Sequence, residues 1–190
     1  MKRILSVLLT LALAAVLTAC GSASAQPQDV FNDYITALQQ GNYEQANTYL
    51  MPDAGDLTKA LEEAVAEEAI KTWLSRMQVQ NLKQQVDGDQ ATLTFELVAP
   101  DLKVVITEVW NEMMEVIRSP EFTEQLPQGD EEAMAAKREE IQQMTIEKLV
   151  NRFADPEVPL ATNTATATLV KTKDGWKISA MDVKWSFEAQ

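Results

Sequence analysis

"ATATLVKTKDGWKISAMDV", residues 165–183, decides the fold. Ala and Thr alternate along its first half with a period of two, the pattern of a strand with one inward and one outward face. Lys173-Asp174-Gly175 supplies a turn, and a second strand follows it. Trp176, Ile178 and Ala180 share one parity, whereas Met181, Val183, Trp185 and Phe187 share the other. That slip predicts a β-bulge between the two sets. The chain therefore closes on an antiparallel hairpin with one apolar face.

A second hairpin stands upstream. RMQVQNLKQQV, residues 76–86, reads as a strand whose apolar positions change parity between Val79 and Leu82, which again predicts a bulge or an edge position. Asp87-Gly88 turns it. Ala91, Leu93, Phe95, Leu97 and Ala99 then line one face of the next strand, with Thr92, Thr94 and Glu96 on the other. Pro100 closes it.

The remaining segments have helical period. Residues 28–40 carry Val30, Phe31, Tyr34, Ile35 and Leu38, and Gly41 stops them. Asn42 caps a short helix at 43–50. A third helix spans about 57–74 with Leu57, Leu61, Ala64, Val65, Ile70, Trp73 and Leu74 as its inward positions. Asp101 caps a fourth over 102–118, with a stripe of Leu102, Val105, Ile106, Val109, Trp110, Met113 and Ile117. Residues 119–132 hold two prolines and no period, and read as a loop. A fifth helix runs over 130–153 with Met134, Ile141, Met144, Ile146, Leu149, Val150 and Phe153 inward. Helices, hairpin, helices, hairpin is an α+β order, with about four antiparallel strands packed against helices.

Two stretches resemble a known superfamily. VFNDYITALQQGNYEQANTYL, residues 30–50, is similar to the opening of NTF2-like domains, where an aromatic-bearing helix precedes a Gly-Asn/Asp-Tyr-Glu-x-Ala motif. Residues 165–183 resemble their closing hairpin, with its Asp-Gly-Trp-Lys-Ile turn. Within the superfamily the chain resembles small bacterial lipoproteins of unknown function (DUF4878- or DUF5105-like). The resemblance implies a cone, a curled antiparallel sheet wrapped on its first helices, often around an apolar pocket. Some superfamily members are isomerases or dehydratases, and many are binding or assembly modules.

The amino terminus carries an address. Lys2 and Arg3 precede an almost wholly apolar run, Ile4 to Leu17. Fourteen helical residues rise only about 21 Å, short of a roughly 30 Å hydrocarbon core, which suits a secretory h-region. Leu17-Thr18-Ala19-Cys20 then resembles the bacterial lipobox, in which the Cys thiol receives a diacylglyceryl group and a peptidase cuts before it. Ala23-Ser24-Ala25 is the competing site of ordinary cleavage. The lipobox reading gives a lipoprotein signal peptide at 1–19, a flexible tether at 20–27 and an NTF2-like domain at 28–190. Cys20 becomes the lipidation site of an extracytoplasmic protein held at the bacterial cell membrane, because two acyl chains suffice for stable anchoring.

Residues 20–190 carry a formal charge of −15. A field of that sign repels nucleic acid and anionic head groups, so nucleic acid is excluded as a partner. The chain has no His and one Cys. That removes His-based acid–base and triad chemistry and the usual transition-metal sites, and lipidation consumes the only thiol. No cofactor and no metal are expected, and no catalytic residue is assigned. Tyr34, Glu96 and Asp101 are the groups to weigh for proton transfer. Each has a structural reading instead: a core stripe, a polar strand face and a helix cap. The acidic pairs Glu62-Glu63, Glu67-Glu68 and Glu139-Glu140, and the run Asp130-Glu131-Glu132, lack calcium-loop spacing and read as solvated faces. Trp73, Phe95, Trp110, Met113, Met114, Trp176 and Trp185 are the candidates to line an apolar pocket. The same side chains at the same spacings also build an ordinary core. The function expected is non-catalytic binding of a small apolar ligand or an envelope protein. An isomerase or dehydratase using a pocket carboxylate and Tyr, or a passive structural lipoprotein, is the alternative.

Overall fold

Pro27 starts the first helix because its missing N–H costs nothing at that position and its fixed φ suits the helix. The structure, a computed structural model, describes residues 25–54, 66–124 and 131–186. Cys20, the signal segment and Phe187 lie outside the described residues, as do Leu57, Leu61, Ala64 and Val65. Helix α1, Pro27–Gln39, begins one residue inside the stretch read as tether, with Gln26 and Asp29 forming a capping box. Its buried stripe is the expected one, Val30, Phe31, Tyr34, Ile35 and Leu38. Gly41, at φ 71°, supplies the left-handed turn into α2, Tyr43–Thr48, whose cap Asn42 accepts from the Gln45 N–H. Helix α3 is Glu67–Ser75.

The four strands β1 (Gln78–Asp87), β2 (Gln90–Pro100), β3 (Leu160–Thr172) and β4 (Gly175–Lys184) form one antiparallel sheet in the order β1-β2-β3-β4. The inward set is Ala91, Leu93, Phe95 and Leu97 of β2, Ala165, Ala167 and Leu169 of β3, and Trp176 and Ile178 of β4. Helix α1 covers this face, and Phe31 meets Phe95 with ring centroids 4.8 Å apart. The Gln28 N–H donates to the Gln84 side chain at 2.9 Å, and the Gln39 amide donates to the Met77 carbonyl. Those two contacts set α1 antiparallel to β1, with its amino terminus toward the β1–β2 turn.

Both parity slips are real bulges, and they curl the sheet. Asn81 and Leu82 together oppose Phe95, between the pairs Gln80–Glu96 and Lys83–Thr94. Asn81 takes the left-handed conformation, φ 53°, which Asn tolerates, and its amide donates to Glu96 at 2.7 Å. The second bulge falls at Ser179, one residue earlier than the pattern suggested. Ala180 therefore pairs with Thr168 and belongs to the outer face, not with Trp176 and Ile178. Its small side chain carried too little hydropathy to mark a face. Beyond the bulge Met181 and Val183 return to the inward register opposite Ala167 and Ala165.

Between β2 and β3 the chain inserts α4 (Leu102–Arg118), α5 (Pro120–Glu124) and α6 (Glu131–Ala154). Asp101 caps α4 by accepting from the Lys103 and Val104 N–H groups. The antiparallel pair α4–α6 is tied by Arg152–Glu108 and Lys148–Glu112, both at 2.6 Å. It has its own small core, Val105, Val109, Met113, Phe153 and Val158, joined by Ala69 of α3. Helix α5 lies where a loop was expected. Five residues are too few to show a period, yet Ser119 caps it and buried Phe122 anchors it beneath the Lys137 ammonium. Two residues of the α4 stripe depart from expectation. Helix α6 approaches α4 from the Glu108 and Glu112 side, so Ile106 and Trp110, on the other flank, are 56% and 64% exposed.

Phe95 and Trp110 should consequently respond in opposite ways. Phe95→Ala leaves a cavity beneath α1 and is expected to cost roughly 3–5 kcal/mol in urea denaturation. Trp110→Ala is expected to stay within about 0.5 kcal/mol of the parent. Equal losses at the two positions would contradict the packing described.

Candidate functional site

Among the described residues, the seven pocket candidates line no common cavity. Phe95 and Trp176 are 2% and 8% exposed and belong to the core beneath α1. Met113 is buried in the separate core of the insertion, Met114 beside it is half-buried, and Trp110 stands in solvent. Trp73 and Trp185 are the pair that meets, with ring centroids 6.1 Å apart and planes at 51°. Trp73 packs against both cores, and its indole N–H donates to the Pro100 carbonyl at 3.0 Å. These contacts place Trp73 as the hinge pin between sheet and insertion.

At this end of the sheet sits Asn163, a buried polar side chain at 4% exposure whose Oδ1 accepts from the Ser186 N–H at 2.8 Å. Pro100, Asp101, Leu102, Asn163 and Trp185 bound a void of about 10 Å³ there. Such a void accommodates about one water, whereas small-molecule sites run to several hundred Å³. Asn163 was not singled out in the sequence, although the signal was present: it shares the inward parity of Ala165, Ala167 and Leu169.

The groups weighed for proton transfer are also dispersed. Tyr34 is buried on α1, and that burial pushes its phenol up to about 12. Glu96 faces outward beside Asn81, and Asp101 is occupied as the α4 cap. Glu67-Glu68 and Glu131-Glu132 occupy the first turns of α3 and α6, where the helix dipole favours carboxylates. Among the described residues no three His, Cys, Asp or Glu side chains gather to hold a metal ion.

Open grooves also lie on the surface of the described residues. One, of about 400 Å³, lies along the first bulge between Asn81, Lys83, Thr94, Glu96 and Thr164. Another, of about 320 Å³, runs between Gln39, Gly41, Tyr43, Lys71 and Ser75. At its floor the Tyr43 hydroxyl is buried and without a hydrogen-bond partner, and burial raises that phenol as well. The Lys71 ammonium lies 5.6 Å from the Tyr43 ring and pairs with Glu67.

No family model matches the chain, and no curated protein matches it. Solved structures similar to the chain include the following two. A "putative ketosteroid isomerase" from Shewanella frigidimarina is 14% identical, with 86% of this chain and 98% of that one covered, at a TM-score of 0.45. A "putative dehydratase from the NTF2-like family" from Streptomyces avermitilis is 12% identical, with 81% and 89% covered, at a TM-score of 0.38.

The raised phenol of Tyr34 generates a pH prediction. Its folded pKa lies above the ordinary value of 10, so the unfolded chain ionises first as pH rises. The associated stability is complete below pH 10 and is lost between pH 10 and about 12, by roughly 2–3 kcal/mol. Tyr34→Phe should flatten that loss in urea titrations, leaving the slope from Tyr43. An unchanged slope would show that Tyr34 ionises as freely folded as unfolded.

Proposed function

We propose that the chain is an extracytoplasmic bacterial lipoprotein, anchored through acylated Cys20, whose NTF2-like domain binds another envelope protein and does no catalysis. The anchor rests on Leu17-Thr18-Ala19-Cys20 directly after a short apolar run. The choice of a protein partner over a small apolar ligand rests on one structural observation. Phe95 and Trp176 lie in the core and Trp73 and Trp185 pack on each other, while Trp110 and Ile106 present an apolar flank to solvent. Exposed apolar surface of this kind favours a macromolecular contact. The isomerase alternative needs a carboxylate facing a buried Tyr, and Glu96 and Asp101 are engaged elsewhere.

Two measurements test the reading. Cys20→Ala should move the protein from the membrane to the soluble fraction. A photo-reactive side chain introduced at exposed Asn111 should yield a discrete protein adduct in intact cells, and Trp110→Ser should abolish it without lowering the melting temperature. If no adduct forms and native mass spectrometry of the extracted protein shows a bound apolar molecule, the ligand reading replaces this one.

A further inference from the structure

The fold fixes which end of the domain meets the bilayer once Cys20 is acylated, and this inference rests on that proposed anchor. Helix α1 begins at Pro27, seven residues beyond Cys20. Seven residues span at most about 23–25 Å when fully extended. The amino terminus of α1 is held beside Gln84 of β1, near the β1–β2 turn. The β3–β4 turn lies at the same end, because the Lys171 N–H donates to the Asp89 carbonyl at 2.8 Å. The insertion is rooted at the opposite end of the sheet. There Asp101 follows β2, its N–H donates to the Pro159 carbonyl, and Arg76 reaches the Phe153 and Asp155 carbonyls. Between the two ends runs β3, thirteen residues or about 43 Å, well beyond the reach of the tether.

Charge differs between sheet and insertion, while residues 28–77 carry nine acidic and three basic side chains, a net charge of −6. The strand segments 78–100 and 160–184 carry five acidic and five basic side chains, a net charge of zero. Residues 101–159 carry fourteen acidic and six basic, a net charge of −8. An anionic bilayer repels the insertion and is indifferent to the sheet, although the field reaches only about 8 Å at physiological salt. A domain lying on its side would bring the insertion into that layer. We infer that the domain stands upright on an anionic bilayer: the α1 amino terminus and the two hairpin turns, where Lys83, Lys171 and Lys173 offset Asp29, Asp87, Asp89 and Asp174, lie nearest the head groups. The insertion, with its Ile106–Trp110 flank, is then held away from the membrane.

Energy transfer from the anchored protein to the vesicle surface tests this. Acylation leaves Cys20 without a free thiol, so Lys173→Cys and Glu139→Cys each provide a single labelling site, both on exposed positions. The acylated full chain, labelled with a donor, is incorporated into 70:30 phosphatidylcholine:phosphatidylglycerol vesicles carrying head-group acceptor. Transfer from position 173 is expected to be at least twofold more efficient than from position 139. Flotation separates the two claims. A chain that floats with equal or reversed transfer overturns the orientation alone. A chain that fails to float overturns the anchor, and the orientation with it.

Discussion

A four-stranded sheet whose inner face is built from Leu93, Phe95, Leu169 and Ile178 cannot leave that face in water, and α1 is the element that covers it. Burying one such side chain contributes about 1.5–3 kcal/mol, against a total stability of about 5–15 kcal/mol for a typical domain. The contact of Phe31 with Phe95 therefore anchors the rest of the fold. Helix α1 is only about 20 Å long, shorter than any of the strands. The two bulges bend the sheet around it, and Trp73 and Trp185 pack together where the sheet meets the insertion. Residues 49–51 bond to Ile178 and so occupy part of the β4 edge, which would otherwise be open to pairing with another chain.

This arrangement takes Phe31, Phe95 and Trp176 into the core beneath α1 and leaves Trp110 in solvent. Among the described residues, the void beside Asn163 holds about one water. The insertion has the opposite character. Of the 24 residues of α6 only Phe153 is buried, and α4 exposes Ile106 and Trp110. The exposed apolar surface of the described helices thus lies on the insertion and not on the face that α1 covers.

The α+β class and the four strands were legible because strand parity is a strict period-two signal. A slip between Val79 and Leu82 has no explanation within one regular strand, so it reported the bulge directly. The bulge at Ser179 was misplaced by one residue because Ala180 fits either face. Trp110 and Ile106 were misread for a different reason. Hydropathy gives the apolar arc of α4, but only the direction of approach of α6, set by Glu108–Arg152 and Glu112–Lys148, decides which part of the arc is covered. Those pairs join residues 36 and 44 apart in sequence, beyond any local pattern. The pocket candidates failed to converge on the same ground, since a Trp at a core spacing looks identical in a wall and in a filling.

The central claim is that α1 and the sheet form the stable unit while the insertion is a less stable layer rooted on Trp73. Native-state hydrogen exchange measures this directly. Amides of β2 at 91–97 and of β3 at 165–169 should exchange only through global unfolding. Amides of α4 and of α6 at 131–145 should open at a distinctly lower free energy. Equal protection of sheet and insertion would contradict the account, because it would make the two cores a single cooperative unit.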